Sequence, residues 1–184
     1  MRGCFDAWAK EAGYDGIYLM SGKTAGAQEK RKGIVDGYYF FEPGYTLKHD
    51  FGLWHSFSYH ASVLINTFAN KFRKKKRLER KIPAEWIYAA IEKRNYADNE
   101  YPGLIVNWDN TPRRKYKGLV YTGTNPARFE RILKTLSEKV AGEREDFVFI
   151  NAWNEWGEGA VMEPDETDRY GYLEAVAHVM NISL

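Results

Sequence analysis

The chain has 184 residues, a formal net charge of +2, 44% hydrophobic residues and 16% aromatic residues. That hydrophobic share excludes a disordered chain, and the length suits one domain with a core of its own. The single cysteine, Cys4, excludes an internal disulfide framework and a cysteine-built metal site. No apolar run approaches the roughly 20 residues of a bilayer span, and the opening MRGCFDAWAKEAGYDG has no apolar signal-peptide core. A cytoplasmic setting is expected, with neither a metal nor a cofactor.

Residues 5–12 read as a short helix, with Phe5, Trp8, Ala9 and Ala12 on one face and Gly13 ending it. Residues 16–20 read as a buried strand, and 21–32 as a polar loop. The Gly22-Lys23-Thr24 triplet in that loop is not a phosphate loop, because Ile17 stands where the upstream glycine is needed. Residues 35–41 form the second strand and end in Glu42-Pro43-Gly44, a turn with a carboxylate. Residues 45–72 are mixed, with a helix over about 59–72. His49, His55 and His60 lack the i, i+4 spacing backed by a glutamate that a metal site would use.

Residues 71–81 carry eight basic residues and one acid, a net +7 in a nearly neutral chain. The run reads as a solvated surface stretch or as a docking patch for anionic lipid or polymer. Nucleic-acid binding is the weaker reading and is not expected. Pro83 sits near the first turn of a helix over 86–94. The third strand is 103–108, followed by the polar turn Asp109-Asn110-Thr111-Pro112-Arg113-Arg114. Asn125 caps and Pro126 opens a helix whose core face is Phe129, Ile132, Leu133, Leu136 and Val140, with Gly142 beyond its end. Residues 147–150 form the fourth strand. Asp168 or Thr167 caps a last helix with Tyr172, Leu173, Val176 and Met180 inward.

Four buried-type strands separated by helices predict an α/β fold with a parallel sheet. In such folds the site lies at the C-terminal ends of the strands. The strongest cluster follows the fourth strand: Asn151, Trp153, Asn154, Glu155, Trp156 and Glu158, interleaved with Gly157 and Gly159. Paired carboxylates suit acid/base work on a glycosidic bond. Flat indoles suit sugar faces, and amides suit hydroxyls. Glu155 and Glu158 are therefore the candidate catalytic pair. Trp153, Asn154, Trp156 and Asn151 are candidate sugar contacts, with one indole expected in the core and one as a platform. Asp109, Asn110 and Glu42, at the ends of other strands, are further candidate sugar contacts.

The segments WDNTPRR (108–114), NAWNEWGEGAVMEPD (151–165) and RYGYLEAV (169–176) resemble the WbsX-type polysaccharide-biosynthesis proteins, relatives of the family 99 glycoside hydrolases, the endo-α-mannosidases. AKEAGYDGIYL (9–19) and YPGLIVNWDNTPR (101–113) extend the likeness over most of the chain. The resemblance implies a (β/α)8 TIM-like barrel. This chain would be a single domain over 1–184 holding about four β/α units from its C-terminal half. It also implies that Glu158 is the general acid/base and that Glu155 acts as a base on the substrate's 2-hydroxyl, giving an anhydrosugar and net retention. Gly157 departs from the pattern, standing where those hydrolases carry a histidine.

Retaining hydrolysis and glycosyl transfer on α-linked, mannoside-like sugars both fit the carboxylate pair. The absence of a nucleotide-binding glycine fingerprint leans toward hydrolysis. The alternative is a non-catalytic carbohydrate-binding or assembly component. A half-barrel exposes two sheet edges, so either a homodimer or a missing N-terminal half-barrel is expected as partner, besides the carbohydrate and a membrane surface met through 71–81.

Overall fold

The computed structural model describes residues 2–26, 33–141 and 147–181. The chain opens with α1 (Arg2–Glu11), β1 (Met20–Lys23) and β2 (Gly37–Phe40). Next come α2 (Gly44–His49), α3 (Leu53–Phe72), β3 (Arg80–Pro83) and α4 (Ala84–Lys93). β4 (Glu100–Tyr101), β5 (Gly103–Ile105), α5 (Thr111–Arg114), β6 (Leu119–Thr122) and α6 (Pro126–Val140) follow. The chain closes with β7 (Phe149–Asn151), β8 (Asn154–Glu155), β9 (Ala160–Val161) and α7 (Gly171–Met180). This is a mixed α/β fold with parallel pairing, as the alternating pattern predicts.

The strands run β1–β2–β4 in one sheet and β5–β7 in another, every pair parallel. Only Pro102 separates β4 from β5, and its carbonyl accepts a hydrogen bond from Phe149 N at 2.9 Å. The four predicted strands are therefore neighbours in the order of the chain. Gly103 fits at the break because a Cβ there would fall 1.8 Å from the Phe40 carbonyl oxygen. The first strand lies further along than expected, at Met20–Lys23. Asp36 accepts the Leu19 N–H at 2.8 Å with its carboxylate, so the stretch before Met20 is held by a side chain.

A second parallel pair, β3 with β6, is not anticipated by the sequence reading. Arg-Lys-Ile-Pro is hidden by the basic run around it. Leu-Val-Tyr-Thr is a β-branched and aromatic run after Gly118, and it is the signal that would have marked β6.

The core gathers around α4, β5, α6 and α7, where Ile87, Tyr88, Leu104, Ile105, Phe129 and Leu136 are fully buried. α6 follows its sequence closely. The Asn125 side chain accepts from Arg128 N, Pro126 opens the helix, and the five expected core residues are buried. Its C-terminal marker, Gly142, lies outside the described residues. α7 differs: Met180 is exposed, and Ala175 and Ala177 are buried with Tyr172. Its expected cap gives way to an earlier turn, in which Asp165 accepts the backbone N–H groups of Thr167 and Asp168. α1 departs most. It buries no residue, and Phe5 and Trp8 stand open while Arg2 pairs with Asp36 at 2.6 Å.

One charged cluster is buried. Arg94, past the end of α4, donates to Glu42 and Asp50 at 2.7 Å each and to Thr46 Oγ1 at 2.7 Å. Its guanidinium lies 4.3 Å from the Phe40 ring centre. Burial opposes the charge on Arg94, but Glu42, Tyr96 and Asp50 together outweigh it and the pKa is raised. Removing one partner of such a cluster strands the other charges. Arg94→Met is expected to destabilise the fold by about 3–5 kcal/mol in urea unfolding, and a loss below about 1 kcal/mol would show the cluster to be dispensable.

Lys23 and Glu100 form a second, mostly buried pair across the first sheet. Burial alone would raise the Glu100 carboxyl, but the Lys23 ammonium and the Ala97 N–H hold it below its ordinary 4.5. A carboxyl depressed by folding contributes stability above its unfolded value and loses that contribution as pH falls through the folded one. The stability gap between the wild type and Lys23→Met should be full at neutral pH and shrink as pH drops below 4.5. A gap independent of pH would remove the pair from the account.

Candidate functional site

β7 ends at Asn151, and the next ten residues fold back on themselves as a small hairpin. Asn154 pairs with Val161 and Glu155 with Ala160, antiparallel. A single 3-10 turn, Trp156–Glu158, closes it, and Gly159 takes the left-handed conformation at φ 62°. Below the hairpin, Met162 N and Glu163 N both donate to the Trp153 carbonyl, at 2.9 and 3.2 Å. The motif that stands out in the sequence is thus one compact structural unit at the C-terminal end of a parallel strand.

The hairpin is fastened to the loop that follows β5. Asp109 N donates to the Glu158 carbonyl at 2.8 Å. Gly159 packs so close to Asp109 that a Cβ would lie 2.9 Å from both its backbone nitrogen and its carbonyl oxygen. Arg113, on α5, contacts the Glu158 carboxylate directly. Arg113 stands within the WDNTPRR segment, where nothing in the local sequence marks it for a role beyond its place on the turn that carries Asp109.

The candidate residues divide by exposure. Glu155, Asn154, Trp153 and Trp156 are exposed, and Glu158 is half-buried. Neither indole enters the core, contrary to the expectation of one of each: Trp153 is 53% and Trp156 54% exposed. Trp156 Nε1 donates to Glu163 Oε2 at 2.7 Å, which fixes the ring's orientation and adds Glu163 to the unit. Glu155 Oε1 lies 3.4 Å from where a Cβ on Gly157 would stand, an ordinary contact distance.

Four candidates have side chains engaged in the fold. Glu42 is 1% exposed, and its carboxylate is taken by Arg94 and by the Thr46 N–H. Its buried carboxylate holds the fold beneath the rim. Asn110 is 4% exposed and accepts from Leu119 N at 2.7 Å, pinning β6 to the turn after β5. Asp109 accepts from the N–H of Thr111, the first residue of α5, at 2.8 Å. Asn151 is half-buried and donates to the Glu42 carbonyl at 2.7 Å, tying the end of β7 to the end of β2. An open cleft of about 270 Å³ is lined by Tyr39, Phe40, Phe41 and Glu42 from the end of β2 and by Phe149, Ile150 and Asn151 from β7.

The profile of the family described as Glycosyltransferase WbsX matches residues 1–176. The chain belongs to the WbsX family. Two proteins of Xanthomonas campestris pv. campestris, from two strains and each described as uncharacterized protein WxcX, are 42% identical to it over 83 residues. The aligned segment is 44% of this chain but 12% of each relative's length. No solved structure matches the chain. Membership of the WbsX family makes a carbohydrate-active role the frame in which the hairpin is read.

Gly159 and Gly157 give a matched pair of tests. An alanine at 159 meets both a left-handed backbone and a backbone neighbour at 2.9 Å, while one at 157 meets only a flexible carboxylate. Gly159→Ala should cost at least about 1–2 kcal/mol in urea unfolding, and Gly157→Ala well under half of that. Equal effects would mean that the hairpin is not held against Asp109.

Proposed function

We propose that this chain is part of a retaining carbohydrate-active enzyme of surface polysaccharide metabolism, acting on α-linked, mannoside-like sugars through Glu155 and Glu158. The four neighbouring parallel strands are read as β/α units from the C-terminal half of a (β/α)8 barrel. One observation carries the reading. Both carboxylates and both exposed indoles leave the C-terminal end of a parallel strand on one hairpin, which is fastened to the loop after the neighbouring strand.

In the first step Glu158, as the acid, protonates the glycosidic oxygen that leaves. Glu155 takes the proton of the donor's 2-hydroxyl, whose oxygen attacks the anomeric carbon and closes a 1,2-anhydrosugar as the old bond breaks. In the second step Glu158, now a carboxylate, takes the proton of the incoming hydroxyl as that oxygen attacks the anomeric carbon. The ring opens, and Glu155 returns its proton to O2. Two displacements at one carbon give net retention. Water as acceptor makes the reaction a hydrolysis, and a sugar hydroxyl makes it a transfer. The family's description and the open, aromatic rim favour transfer. Arg113 must release the Glu158 oxygen as the leaving group takes its place.

That same ion pair favours a second reading. A site whose Glu158 stays bound to Arg113 would bind glycans by Trp153 and Trp156 without turnover.

The discriminating experiment assays the wild type, Glu155→Gln and Glu158→Gln on α-mannosides and related glycans. The substrates carry either a sugar or an activated aryl leaving group. Loss of the acid should lower kcat/KM by about 10²–10⁴-fold on sugar leaving groups and much less on aryl ones, which leave without a proton. Loss at Glu155 should lower both alike. Glycan binding with no turnover in any form would establish the binding reading, and full activity in both variants would remove the pair from the chemistry.

A further inference from the structure

α3 turns its larger apolar face outward. Its inward side is mixed: Tyr59 packs on the core and His55 stacks on Trp86, while Asn70 is 3% exposed and Asn66 donates to the Glu79 carbonyl. Its outward side is apolar. Leu53, Trp54, Phe57, Leu64, Phe68 and Phe72 are each 62–93% exposed. At 100° per residue these positions, with Ala61 and Ile65 between them, fall in one stripe about 120° wide, running the full length of the helix, about 30 Å. A patch of that size and make-up marks an interaction surface.

The stripe ends where the basic run begins. Phe72 is followed by Arg73, Lys74, Lys75, Lys76 and Arg77, which line an open concavity of about 480 Å³. That loop is built, not merely solvated. Asn70 Nδ2 donates to the Arg77 carbonyl at 2.7 Å and Arg77 N donates to Asn70 Oδ1 at 2.9 Å, while Lys76 Nζ bonds the Asn70 carbonyl. The backbone is folded against the helix end, and Lys74 and Lys75 stand exposed.

We infer that α3 and the loop after it form a membrane-surface anchor. The helix lies in the plane of an anionic bilayer with its Trp, Phe and Leu side chains at the headgroup boundary, and the Arg73–Arg77 loop sits against lipid phosphates. The two halves of the surface decide the occupant together. Nucleic acid or an acidic protein would match the cations and leave the long apolar stripe wet. A second copy of the chain would cover the stripe and leave the cations unmatched. An anionic bilayer matches both. Among the described residues no helix is long and apolar enough to cross a membrane, so the surface lies on the bilayer.

The test is co-sedimentation of the protein with phosphatidylcholine vesicles made with and without phosphatidylglycerol. Variants are the pair Lys74→Glu/Lys75→Glu and the pair Trp54→Ser/Phe68→Ser, all at exposed positions, with circular dichroism confirming the fold. Binding should require phosphatidylglycerol, weaken with added salt, and fall about tenfold or more with either variant pair. The inference is overturned if binding ignores lipid charge or either pair leaves it unchanged. It is equally overturned if vesicles are not bound while the apolar variants convert a dimer to a monomer, or while the basic loop binds DNA instead.

Discussion

The contact between Gly159 and the backbone of Asp109 sets the position of everything at the rim. Two main chains can approach this closely only where one of them lacks a side chain, and the left-handed turn at 159 asks for glycine on its own account. From that contact the Asp109 N–H reaches the Glu158 carbonyl, and Arg113, a turn further on, reaches the Glu158 carboxylate. The glycine after the second glutamate is thus the means by which one strand's loop orients the carboxylate of another. A hairpin joined to the fold only through β7 would fray, since two-residue strands have little stability of their own.

The other side of the rim is held from beneath. Asn151 bonds the Glu42 carbonyl, while the Glu42 carboxylate is drawn inward to Thr46 and to Arg94, which also holds Asp50. A buried ion cluster adds little net stability over a well-packed apolar one, but it is unforgiving of misplacement. Its effect here is to fix where β2 ends relative to α2 and α4, and through Asn151 where β7 ends. The backbone of Glu42 serves the site while its side chain serves the fold.

What the sequence discloses follows from how far each signal reaches. The helix α6 is written in local terms, a cap, a proline and a 3.6-residue apolar period, so its five core residues could be named from the sequence. The hairpin's location after a strand was equally legible, because glycines, amides and indoles cluster there, although β7 is half-buried where a buried strand was expected. β3 was not, since its pairing with β6 is non-local and half of its residues are charged. Glu42 illustrates the same limit. Its place after a strand looks the same whether the carboxylate faces a sugar or an arginine, and Arg94 lies 52 residues away.

Apolar periodicity also leaves open what covers a helix face. α1 shows an apolar side in sequence, while that of α3 emerges only with a helix that begins at Leu53, six residues before the expected start; the structure leaves both open. Their electrostatics differ. Arg2 of α1 is spent on Asp36, and Phe5 and Trp8 are a short patch that a protein surface or another part of the fold would cover as well as a lipid would. α3 continues without interruption into a concentrated positive run whose backbone is locked to the helix end by Asn70. Hydrophobic area is non-directional and says only that water is unwelcome. The fixed cations beside it add sign and position, and these make an anionic interface the matching surface for α3 while leaving α1 uncommitted.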